Sequence, residues 1–144
     1  MAVSTPVAHA VQSMQEWLKE LKDSGELADE AAAYSILRTV LHQLRDRLTI
    51  EEAVDLSAQM PLMVRGLFFE HWRPHKVPRK IRSKTVFLDE LTAAILPHTY
   101  PVEWAVRTVF GLLARHCDPG EIANVKAQLP DDIKELWPAS ADGR

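Results

Sequence analysis

The chain has 144 residues, 47% of them hydrophobic, with 17 basic and 20 acidic side chains and a formal net charge of −3. That length suffices for one domain burying about two thirds of its unfolded surface, and the acidic balance argues against whole-molecule affinity for nucleic acid or anionic lipid. A lone cysteine, Cys117, excludes an internal disulfide, no apolar run nears the ~20 residues of a membrane span, and residues 1–10 lack the basic start and apolar stretch of a signal peptide; a cytoplasmic location is the expectation.

No stretch alternates apolar and polar residues for long, whereas helical spacing recurs throughout, so the chain reads as all-α. The first helix carries Trp17-Leu18-Lys19-Glu20-Leu21 and meets a break at Gly25. The second is central, with Ile36, Leu37, Val40, Leu41, Leu44 and Leu48 on one stripe. Thr49-Ile50-Glu51-Glu52 reads as a capping box that opens a third, and Ala58-Gln59-Met60 before Pro61 closes it, because proline removes a helix donor and restrains its predecessor. A short fourth helix follows.

The same order then returns. Phe87-Leu88-Asp89-Glu90-Leu91 resembles the first helix at an offset of 70, and Pro97-His98-Thr99-Tyr100-Pro101 marks the connection. Ala105, Val106, Val109, Phe110, Leu113 and Cys117 repeat the central stripe. Asp118-Pro119-Gly120-Glu121 supplies an Asp cap with Pro at the first helical position, and Ala127-Gln128-Leu129 again precedes a proline, Pro130. Residues 38–68 lie over 107–137 at a constant offset of 69, pairing Arg38 with Arg107, Glu52 with Glu121 and Gln59 with Gln128. The expected architecture is a compact bundle of two tandem, quasi-symmetric four-helix repeats, each burying the other's apolar face. Copy one covers about 7–71, a basic connector 72–83, copy two about 84–138, and residues 139–144 form a small polar tail expected to fray.

Several of these turns and caps occur in an order that resembles the bacterial domain-of-unknown-function family 2267. They are Thr39 to Arg47 with Glu51-Glu52-Ala53, Ala58-Gln59-Met60-Pro61, Arg65-Gly66-Leu67-Phe68-Phe69 leading to Trp72, Ala127-Gln128-Leu129-Pro130, and Leu136-Trp137-Pro138. The resemblance covers about 17–138. It implies a duplicated helical fold in bacteria and brings no reaction, ligand or catalytic residue.

One compositional anomaly remains. Arg73, Lys76, Arg79, Lys80, Arg82 and Lys84 put six cations into twelve residues without an acidic one, while the rest of the chain carries 11 basic against 20 acidic residues. Such polarity can steer an anionic partner, although solvated linker side chains have the same composition. His71 and His75 flank Pro74 and lack further ligands at zinc spacing, so no metal site is read. Trp72 reads as a lid on the core with its indole N–H turned to a partner or water. Cys117 sits where copy one has Leu48 and reads as a small hydrophobe rather than a nucleophile. Arg38 and Arg107 adjoin the stripes and should cover core with their stems while their heads meet carboxylates or carbonyls; a pair of anion sites is the alternative.

No catalytic residue and no cofactor is nominated. The functional reading is a non-catalytic interaction or regulatory module that presents helix faces and the basic connector to a protein partner, acidic in character, ahead of nucleic acid; no membrane role is read. The alternative is a sensor of a small or anionic ligand held between the repeats. An enzyme assembled only in three dimensions ranks third, and the oligomeric state is not readable.

Overall fold

The structure, a computed structural model, describes residues 4–79, 83–95 and 100–139. These form eight α-helices with no strand among them: α1 Thr5–Gly25, α2 Glu30–Arg45, α3 Ile50–Ser57, α4 Leu62–Phe69, then a 3-10 turn at Pro74–Lys76, α5 Lys84–Ala94, α6 Val102–His116, α7 Pro119–Ala127 and α8 Asp131–Lys134. Side chains start three of them in the ordinary way. Asp29 accepts the Ala32 N–H at 2.8 Å, Thr49 the Glu52 N–H at 3.2 Å and Ser83 the Val86 N–H at 3.2 Å, each closing an otherwise open helix-start donor.

Helix α2 packs on α6 at the centre. Helices α1 and α5 each pack against both, α3 packs on α7, and α4 closes over α1 and α2. Helices at matching places in the two copies thus meet, α2 on α6 and α3 on α7. Two pairs of helix starts obey the sequence offset, α3 and α7 beginning at 50 and 119 and α4 and α8 at 62 and 131, whereas α2 and α6 begin at 30 and 102 and α1 and α5 at 5 and 84. The elements are not equally long: α1 has 21 residues against 11 in α5, and α4 has eight against four in α8.

Both central stripes are buried. Ile36, Leu37, Val40, Leu41, Leu44 and Leu48 have no exposure, nor do Ala105, Val106, Val109, Phe110 and Leu113. Leu48 and Cys117 lie just beyond the ends of α2 and α6 and still join the one contiguous core. The duplicated threonines beside the stripes are satisfied locally, Thr39 donating to Ser35 O at 2.8 Å and Thr108 to Trp104 O at 2.7 Å.

Gly25 is not the left-handed residue that ends α1; Glu26 is, at φ 55°, with the Leu27 N–H returning to Lys22 O at 2.9 Å. Glycine is needed one residue earlier because a Cβ there would stand 2.8 Å from the Thr108 methyl of α6. Its carbonyl is shared by the Tyr100 hydroxyl at 2.7 Å and the Trp104 indole N–H at 3.1 Å, which ties the end of α1 to the other copy. The Pro97-His98-Thr99 part of the second connection and residues 140–144 of the tail lie outside the described residues.

Leu44→Ala and Leu113→Ala should each cost about 2–5 kcal/mol, the range for truncating a buried leucine. Denaturant midpoints unchanged in both variants would contradict a core built on the two stripes.

Candidate functional site

Chemistry-bearing side chains concentrate at the junction of α3 with α7. The backbone N–H of Thr49, at the start of α3, donates to Oε1 of Gln128 at 3.0 Å, and the same amide's Nε2 donates to the Thr49 hydroxyl at 3.3 Å. At the start of α7 the Asp118 N–H donates to Oε1 of Gln59 at 3.1 Å. The two duplicated glutamines therefore exchange: each closes the helix start of the opposite copy. This arrangement corrects two expectations. Asp118 occupies the N-cap position, but its exposed carboxylate accepts no helix N–H. Glu52 does not reach back to the Thr49 N–H to complete a capping box, because Gln128 already holds that donor.

Glu52 turns instead toward its duplicate. Its side chain is 7% exposed and lies against the carboxyl of Glu121. Oε1 of each residue is buried with no donor among the described residues. A buried carboxyl that lacks a donor and lies against a second carboxyl favours its protonated form, which can donate to its neighbour. Burial first, then the Glu121 carboxyl opposite and the charge of Asp55 further along α3, push the Glu52 carboxyl up to about 8. The Cys117 thiol is driven up to about 11 by burial, with the charge of Glu121 adding to it. At neutral pH it is a protonated core side chain, unsuited to nucleophilic attack.

Ion pairs between the copies flank this junction. Glu20 of α1 binds Arg115 at 3.0 Å and His116, whose ring lies 4.6 Å from that of Trp17. Glu90 of α5 binds Arg47, whose guanidinium lies 5.5 Å over the Phe87 ring. Burial opposes ionisation of both glutamates, but their cationic partners outweigh it and hold each carboxyl below its ordinary range. Arg45 and Arg47 are buried, and neither drew notice in the sequence. Arg45 donates to the carbonyls of Phe68 at 2.8 Å and Glu70 at 2.7 Å, closing the end of α4. Alanine, Ala114, stands at the corresponding place in copy two, where α8 is a single turn.

The basic connector is less open than its composition suggests. Arg79 binds Glu90 at 2.9 Å, and Lys84 binds Glu103 at 2.5 Å. Arg73 and Lys76 are exposed, with no ion pair among the described residues; Lys80 and Arg82 lie outside them. Trp72 packs on the core beside Phe69, at 4.9 Å between ring centroids, and its buried Nε1 has no partner among the described residues. Arg38 meets the Glu70 carboxylate at 2.5 Å, and Arg107 meets the Glu135 carbonyl at 3.0 Å with Glu103 3.8 Å away. No group of three or more His, Cys, Asp or Glu side chains among the described residues could hold a metal ion. No described helix is long and apolar enough to cross a membrane.

A groove of about 360 Å³ opens on copy one, lined by Met14, Tyr34, Met63, Gly66, Leu67, Phe69 and Glu70. Tyr34 and Met63 are each 42% exposed, and neighbouring Leu62 is 66% exposed.

Residues 14–136 match the family described as an uncharacterized conserved protein (DUF2267). That match spans most of the chain, which therefore belongs to this family. None of the curated proteins compared with the chain matches it.

Gln59→Ala and Gln128→Ala should each destabilise by roughly 1 kcal/mol, as Thr49→Ala should, because each removes an acceptor or donor that closes a helix start. Asp118→Ala should change stability little; a loss equal to that of Thr49→Ala would contradict the exchange of caps.

The carboxyl pair predicts a pH dependence. Folded Glu52 keeps its proton up to about 8, whereas its ordinary value is 4.5. The folded state thus holds an extra proton between those values, so this contribution is complete below the lower value and is lost as pH rises toward the upper. Midpoints of wild type and Glu52→Gln, followed from about pH 5 to about pH 9, should diverge in favour of the amide and then run parallel above about 8. Curves parallel throughout would refute the shared proton.

Proposed function

We propose that this family member is a non-catalytic interaction module, and that its docking face is the groove on copy one. The supporting observation is a difference between the copies at one and the same place. In copy two Lys84 sits between Glu103, at 2.5 Å from its ammonium, and Asp132, whose Oδ2 accepts its backbone N–H at 2.8 Å. At the matching offsets copy one carries Met14, Tyr34 and Met63. The charged trio closes on itself, whereas the apolar trio lines an open groove. Folding does not demand the apolar version, since copy two folds with the charged one. Exposed Leu62 extends the contrast, its counterpart being Asp131.

An adaptable methionine- and aromatic-lined groove suits the apolar face of an amphipathic helix. Arg73 and Lys76, exposed in the segment that leaves α4, favour acidic residues on that helix. Lys84 and Arg79 are already bound to carboxylates, so the groove rather than the whole connector carries the reading. The complete burial of the stripes along α2 and α6 speaks against a ligand sensor between the copies.

Copy two supplies the test. Leu62→Asp with Met63→Asp installs the residues it has at those positions, so the melting temperature should hold. Partners that wild type captures from its host should be lost, with affinity falling about 30-fold or more if Met63 anchors the contact. Identical partners retained by both proteins would exclude the groove.

A further inference from the structure

Loss of the proton between Glu52 and Glu121 would leave two charges in a buried contact within the α3–α7 packing. We propose that the α3–α7 junction is a proton-dependent latch: a single proton held between Glu52 and Glu121 keeps the helices together, and its release to water parts them while the α2–α6 core stays closed. Several observations point the same way. The two carboxyls come from opposite copies, and each has a buried oxygen without a donor among the described residues. Asp55 on α3 acts on Glu52, and the Cys117 thiol at the end of α6 feels the charge of Glu121; neither is a cation that could replace the proton. The neighbouring closures are exposed glutamine bonds, Gln128 to Thr49 and Gln59 to Asp118, which water can replace at small cost.

Short helices also make the junction the weak end of the molecule. Helices α3 and α7 have eight and nine residues, against sixteen and fifteen in α2 and α6, so they can open without unwinding the centre. Parting would uncover Ala53, Leu56, Ile122 and Val125, all buried when the latch is closed. Deprotonation would thereby convert a change of pH into new apolar surface beside the already exposed Ile50 and Val54. This device is independent of the groove, and neither proposal needs the other.

Amide hydrogen exchange of the intact protein tests it, with rates divided by those of unstructured peptide at each pH. Between about pH 6 and about pH 8, protection in residues 50–57 and 119–127 should fall by up to tenfold per pH unit, the limit for one proton released, while residues 36–44 and 105–113 stay protected. Glu52→Gln should keep α3 and α7 protected across the range, because the amide donates to Glu121 without titrating. Should that variant fold poorly, exposed Asp55→Asn serves: without the charge that raises Glu52, the fall in protection should level off at a lower pH than in wild type. Protection independent of pH, an equal fall in Glu52→Gln, or a parallel fall in α2 and α6 would each overturn the latch.

Discussion

The backbone N–H groups of Thr49 and Asp118 stand at the starts of α3 and α7, and each is taken by a glutamine from the opposite half of the chain. The surrounding contacts follow the same rule. Glu90 of copy two neutralises the buried Arg47 of copy one, Glu20 of copy one holds Arg115 and His116 of copy two, and the carbonyl that ends α1 is held by Tyr100 and Trp104. A copy standing alone would lose the Glu90 carboxylate and the Phe87 ring that cover Arg47, besides exposing a full helix stripe. The repeat is therefore a unit of sequence and not a unit of stability. Two small sets of helices become one domain because neither can satisfy its own polar groups.

That mutual completion frees some positions from structural duty. Glu103 and Asp132 of copy two are occupied in fixing Lys84 at the start of α5. In copy one the corresponding helix is longer and begins well before the matching point, so α1 needs no such anchor. Tyr34 and Met63 can then face solvent around a groove floored by buried Met14. Functional divergence between duplicated halves is easiest where one of them has an alternative means of holding the same element.

Much of this was legible in the residues alone. Helical period marked both stripes, since a face that must be buried leaves a 3.6-residue signature whatever its partner is. Threonine before Glu51-Glu52 marked the start of α3, a local device read locally. What escaped was long-range. Gln59 and Gln128 were visible as repeated residues, but their bonds cross 59 and 79 positions of chain, and no spacing rule reaches that far. Asp118 before a proline has the composition of a cap without the hydrogen bond of one. The connector showed its charge but not its neutralisation, because Glu90 and Glu103 reach Arg79 and Lys84 from later helices. Arg45 and Arg47 resembled ordinary surface cations at a helix end. The groove could have been found by attending to the mismatches of the repeat, Tyr34 with Glu103 and Met63 with Asp132, as closely as to its matches.

Duplication gives Glu52 and Glu121 the same backbone setting, and a proton between two such groups would have two tautomers of equal energy. The neighbours remove that degeneracy. Asp55 lies one turn along α3 and acts on Glu52, while the residue at the same offset on α7 is Asn124, which carries no charge. An extra negative charge on one side favours the proton on Glu52. The junction is thus polar along a fixed direction, from copy one to copy two, although the chain that built it was written twice in nearly the same residues.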